Sequence, residues 1–234
     1  MRPTVRRWLL RLVIAVPVII GCVALALFLA VRAAPAWWEQ ANPGAYAGEL
    51  GTQFENACVS QITAVRPAAA ASAPDAPYRS EVWRVSLSER DLSAWASERL
   101  RPWLESNDPA FRWPDGLGGV RVDVRDGFIR IGAPVGDDAA IVTLDCEVFV
   151  DDAGGLRVRV VGARAGALPV PVGLALARAG AMPADVADML RGERPLLPEA
   201  VIPADGARSV RLLGVRAREG ALEIEARTES NPAR

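Results

Sequence analysis

Residues 12–31, LVIAVPVIIGCVALALFLAV, are 20 consecutive residues without a charge. A bilayer core about 30 Å thick is crossed by about 20 apolar residues in a helix rising ~1.5 Å each, so this run is long enough to span. Pro17 and Gly21 lie inside it, which a spanning helix tolerates better than a soluble one. Arg2, Arg6, Arg7 and Arg11 precede the run, and the first acid is Glu39. Positive residues stay on the cytoplasmic side, so the N-terminus is expected inside and the chain from about residue 35 outside, with Arg32 alone opposing. Trp37 and Trp38 follow at the depth where amphipathic rings favour the membrane interface. The chain is expected to be a single-pass protein of a bacterial cell membrane. Its parts are a basic cytoplasmic tail (1–11), a transmembrane helix (12–31), a stalk (32–48), an exported domain (49–228) and a short tail (229–234).

Two other readings of the N-terminus stay open. Ala34-Pro35-Ala36 fits the A-x-A site of a cleaved signal peptide, although the apolar run exceeds the usual 7–15 residues of one. Ile19-Ile20-Gly21-Cys22 fits a lipobox, although Val23–Val31 continues apolar where a lipidated cysteine is followed by a polar tether. The domain is exported in all three readings.

Composition narrows what that domain does. Every one of the 27 basic residues is arginine, which fits a GC-rich genome. Beyond residue 32 there remain 22 arginines against 28 acids, a net charge of −6. An acidic domain without a basic run is a poor partner for nucleic acid. The chain has no histidine, which removes Ser-His-Asp and Cys-His chemistry, the usual metal sites and the commonest general base. No cofactor fingerprint occurs. The acid pairs Asp137-Asp138 and Asp151-Asp152 stand beside turn glycines and lack the alternating oxygen ligands of a calcium loop. Asp145 and Glu147 share a strand face opposite Leu144 and Cys146, where Arg157 and Arg159 offer cross-strand partners. The expectation is a non-enzymatic protein without cofactor or metal. Cys58 and Cys146 form a disulfide in an oxidising compartment or stay as two buried thiols; the sequence leaves both open.

Periodicity gives the elements. Leu50, Phe54, Cys58 and Ile62 form an i, i+4 row, which predicts an amphipathic helix over about 45–65. Pro67–Pro77 is a low-complexity loop. Residues 81–87 alternate as a strand, with Trp83, Val85 and Leu87 on one face. Ser88-Glu89-Arg90-Asp91 resembles a capping box, and Leu92, Trp95, Ala96, Leu100 and Trp103 predict a second helix over 89–104. Hairpins follow across Asp126-Gly127, across residues 151–155 and across Arg218-Glu219-Gly220, the first and last resembling one another. Two short helices, 172–181 and 184–191, lie between. The predicted class is α+β: a transmembrane helix, then a curved antiparallel β-meander packed against two amphipathic helices.

This order of parts resembles the single-span bacterial envelope proteins of the YpmS-like kind and, more distantly, LmeA-like and TULIP-type lipid-binding proteins. The resemblance is carried by Val85-Ser86-Leu87-Ser88-Glu89-Arg90-Asp91-Leu92-Ser93, by Val124-Arg125-Asp126-Gly127-Phe128-Ile129 and by the Gly166–Pro171 break, with Ser93 in place of an expected asparagine. It covers about residues 45–227 and implies a long curved sheet wrapping a helix, with an apolar groove for acyl chains. The function expected is binding of lipid or another apolar ligand at the cell envelope, with Trp83, Val85, Leu92, Trp95, Val122, Leu144, Val148 and Val158 as lining residues. The competing expectation is a scaffold for another envelope protein.

Overall fold

The computed structural model describes residues 21–69, 77–107, 109, 111–136, 140–178 and 184–231. The first half of the apolar run, the pair Asp137-Asp138 and the last three residues lie outside these. The elements in order are α1 (residues 21–32), α2 (Ala36–Gln40), α3 (Ala47–Thr63), β1 (Trp83–Ser88), α4 (Glu89–Glu98), α5 (Leu100–Asn107), β2 (Arg121–Arg125), β3 (Phe128–Val135), β4 (Ala140–Val150), β5 (Leu156–Ala165), β6 (Leu168–Val170), α6 (Val172–Arg178), α7 (Ala184–Leu190), β7 (Val201–Pro203), β8 (Arg208–Arg218) and β9 (Ala221–Ser230).

The protein is mixed α+β with two antiparallel sheets. Strands β2-β3-β4-β5-β6 form one in sequence order, a meander; the other runs β1-β9-β8-β7. The expected single meander is therefore divided. Strand β1 leaves the others and pairs with the last strand, Val85 opposite Ile224 and Leu87 opposite Leu222. No local signal marks a pairing between segments so distant in sequence. Apolar faces of the two sheets meet in one core, where Val122, Val124 and Ile129 pack with Leu222, Val215 and Ala217. Leu92 and Ala96 of α4 complete it.

The two similar hairpins interlock at their tips. Gly127 donates its N–H to the Ala217 carbonyl, Gly220 donates to Val124, and Asp126 accepts from the Glu219 N–H. Gly127 and Gly220 sit at φ 87° and 76°, a region open to glycine, so these turns close without strain. The second predicted helix breaks at Arg99, so α4 and α5 are separate; Pro102, which has no N–H to give, lies in the first turn of α5. Ser88 caps α4 as expected: its hydroxyl accepts from the Asp91 N–H at 3.2 Å and donates to the Asp91 carboxylate at 2.7 Å.

Helix α1 presents Val23, Leu25, Leu27, Phe28 and Leu29 at 50–57 % exposure, apolar on all sides. Together with the residues that follow, to Gln40, it is the one stretch among the described residues long and apolar enough to cross a membrane. Its last turn is seated on the domain. Ala167 donates its N–H to the Ala30 carbonyl at 2.9 Å, and Gly166, at φ +57°, lies so close that a Cβ would stand 2.1 Å from the Val31 oxygen.

The segment expected to be a stalk is folded onto the domain. Trp37 and Trp38, read from the sequence as membrane-interface residues, are 5 % and 7 % exposed and form a cluster with Ala41 and Ile141. The physical reason is Gly132: the missing side chain in β3 leaves a slot, and the Trp37 ring fills it. Arg121 stacks on Trp38 at 4.2 Å and donates to its carbonyl at 2.6 Å. Ser93, fully buried, ties this segment to the sheet, donating to the Ala41 carbonyl at 2.7 Å and accepting from the Val122 N–H at 3.2 Å.

Candidate functional site: an apolar groove under helix α3

The helix row read from the sequence finds its counterpart in the four-stranded sheet. Phe54, Cys58 and Ile62 descend one side of α3 at one-turn spacing, which puts them on a single stripe. Facing them, Trp83, Val85 and Leu87 of β1 alternate inward, beside Ile224 of β9, Val210 and Leu212 of β8 and Ile202 of β7. Ile62 packs with the sheet against Ala200, Val210, Leu212 and Ala226, but along Phe54 and Cys58 the stripe and the sheet do not close on each other. Between them runs an open groove of about 360 Å³, within the size range of small-molecule sites. Polar groups lie at its margins: Gln53 and Gln61 on the helix, Ser86 and Asp91 opposite.

Neighbouring contacts hold the helix over the groove. Gly51 lets α3 cross α4 closely, since a Cβ there would lie 3.2 Å from the Ala94 carbonyl oxygen. Arg99 pairs with Glu55 at 3.0 Å. Phe54 meets the Trp95 ring at 6.5 Å, and Trp95 in turn meets Trp103 at 6.0 Å. At the far end, the Trp83 indole N–H donates to the Thr228 hydroxyl at 3.3 Å, and the Arg66 guanidinium lies 3.7 Å from the ring centroid. Arg66 also donates to Ala64 and Gln61, while Tyr78 donates to the Arg66 carbonyl at 2.6 Å.

Of the residues expected to line a ligand site, Trp83 and Val85 border this groove. Leu92, Val122 and Val148 instead fill the core between α4 and the two sheets. Trp95 stands behind Phe54 and supports it. Leu144 lies half-buried between Ile131 and Ala163 in the five-stranded sheet, and Val158 lies half-buried opposite Val148. The predicted set thus divides because alternation tells which residues share a face, not which element covers it. Phe54, Cys58 and Ile62 were visible as a helix row but not as a lining. Nothing in the sequence marks Arg66.

Cys58 and Cys146 are free thiols. Cys58 lines the groove, and burial pushes its pKa up, with Glu55 acting the same way. Cys146 in β4 is 2 % exposed, and burial pushes it to about 11.

Asp145, Glu147 and Asp151, singled out in the sequence, have structural partners. Asp151 accepts from the Ala153 and Gly155 N–H groups and from Arg157 at 2.5 Å, closing the β4–β5 turn. Glu147 pairs with Arg159 across the strands, while Asp145 pairs with Arg130 at 2.7 Å rather than with an arginine of β5. Arg130 also reaches Asp123, whose side chain is 1 % exposed. Among the described residues no three acidic or cysteine side chains group as a metal site would need. The chain matches no protein-family model, no curated protein and no solved structure.

Proposed function

We propose that this is a single-pass bacterial envelope protein whose exported domain binds an apolar, acyl-chain ligand, without catalysis, in the groove between α3 and the four-stranded sheet. One observation carries the reading: beyond the contact at Ile62, an apolar helix stripe and an apolar sheet face stand opposed across an open groove instead of packing shut. Opposed apolar faces lose about 25 cal/mol of stabilisation for each Å² left wet, so an unfilled groove of this kind is costly without an occupant. The resemblance to YpmS-like, LmeA-like and TULIP-type proteins points the same way. So does α1, apolar on all sides and joined to the domain through Ala30 and Ala167, which suits a domain working at a membrane surface with its N-terminus inside.

Cys58 gives a native reporter for the test. The full chain in phosphatidylcholine nanodiscs is treated with N-ethylmaleimide, with and without hexadecanol, and Cys58 labelling is quantified by peptide mass spectrometry. Protection by hexadecanol is expected, and an Ile224→Asp variant that still folds by circular dichroism should lose it. Unchanged labelling at saturating hexadecanol would refute the reading. A scaffold role is favoured by a different observation: Ile131, Val135 and Val142 are 36–41 % exposed on the apolar face of the five-stranded sheet. Crosslinks from that face to a second envelope protein in intact membranes would support it.

A further inference from the structure

The groove is not symmetrical along its length. One end carries Asp91, hydrogen-bonded to Ser88, beside Leu87. Next to the other end, bounded by Gln61, Ile62 and Trp83, stand two cations outside the lining itself. Arg66 stacks on Trp83, and Arg208 donates to the Thr63 carbonyl at 3.2 Å, at the C-terminus of α3. The two arginines are close enough to act on one another. Burial lowers the pKa of Arg66, Tyr78 opposes that, and Arg208 adds to it. Arg208 is neutralised by Asp205 at 2.5 Å, whereas Arg66 has no carboxylate partner among the described residues. Arg66 is half-buried, its guanidinium held in place by an aromatic face and two carbonyl acceptors, and such a planar fork matches the oxygens of a carboxylate or phosphate.

On the reading that the groove takes an acyl chain, we infer that the ligand is an anionic amphiphile, its carboxylate or phosphate head at Arg66 and its chain running along the α3 stripe toward Leu87. Charge sets the direction: the acid end of the groove repels the head, and the cationic end attracts it. The rim glutamines Gln53 and Gln61 carry no charge that would reverse this.

The test compares palmitate, lysophosphatidate and hexadecanol as protectors of Cys58 in the full chain, in phosphatidylcholine nanodiscs. All three offer a similar chain and differ in the head. Palmitate or lysophosphatidate is expected to protect at concentrations about tenfold below hexadecanol, as one charge-assisted pair allows. Arg66→Gln should erase that advantage while hexadecanol protection persists, which also shows that the variant folds. Arg66→Lys should retain only part of it. Whichever anion shows the larger advantage identifies the head as carboxylate or phosphate. Equal protection by all three in the wild type would overturn the anionic assignment and leave the groove standing. An anionic advantage that survives in Arg66→Gln would overturn the role of Arg66. Protection by none would remove the groove reading itself, and this inference with it.

Discussion

Replacing Gly132 by alanine tests whether helix α1 is joined to the domain by a packed contact or a loose tether. A Cβ at this position would lie 2.6 Å and 2.8 Å from the Trp37 ring carbons Cη2 and Cζ2, and 3.4 Å from Cζ3 of Trp38. Neither ring has room to retreat in place, because Trp37 and Trp38 are packed with Ala41 and Ile141 and Arg121 covers Trp38. The whole of α2 must lift. Overpacking of this kind costs about 1–3 kcal/mol. The upper limit is loss of the seat, since a buried tryptophan removes about 150–250 Å² from water, worth ~4–6 kcal/mol. Taking about 2 kcal/mol, the melting temperature of a domain this size should fall by ~4–8 °C. The assay is thermal unfolding of the full chain in nanodiscs, with limited proteolysis between Ala33 and Tyr46. Gly132→Ala should melt earlier and be cut there at temperatures where the wild type resists. An unchanged melt and cleavage pattern would refute the packing argument and return the tryptophans to the bilayer interface.

Ser93→Ala leaves the Ala41 carbonyl and the Val122 N–H without their buried partner, and should cost about 1–3 kcal/mol in the same thermal assay; Ser93→Thr, which keeps the hydroxyl, should cost less. Asp151 is held below its ordinary carboxylate value by the Arg157 hydrogen bond first and the Gly155 N–H next. A depressed acid contributes stability above its unfolded pKa near 3.8 and loses it as pH falls through the folded value, so Asp151→Asn should flatten the acid side of a melting-temperature profile below about pH 4. Cys146, with its thiol pushed to about 11 and its side chain buried, should resist N-ethylmaleimide at pH 8 until the protein is denatured, while Cys58 reacts in the native state, more slowly than a free thiol.

What the sequence revealed depended on how local the cause was. Ser88 with Asp91, the Asp126-Gly127 turn and the row through Phe54, Cys58 and Ile62 are set by residues within a few positions of one another, and each occurs where periodicity or turn chemistry puts it. Beyond Trp83 and Val85 the opposite wall of the groove was not legible, because it needs β1 to pair with β9 and so depends on competition among all the strands. The burial of Trp37 and Trp38 was not legible for a different reason. Two tryptophans after an apolar span have the same local signature whether they meet headgroups or a glycine slot, and only the slot at Gly132 separates the cases. Arg66 was invisible because it sits between a helix end and a low-complexity loop, and gains its significance from Trp83 and Arg208, distant in sequence.

Seating residues 33–47 on the domain also sets its reach. Extended at ~3.4 Å per residue, such a segment would let the domain wander about 50 Å from the bilayer. Instead the chain turns back at once, and the Ala30 carbonyl is already bonded to Ala167. On the proposal that α1 lies in a bilayer, the domain would diffuse in two dimensions as one piece with its helix. The proposed ligand would then be collected and handed over beside that membrane, and anything on an opposing membrane would have to come to the protein.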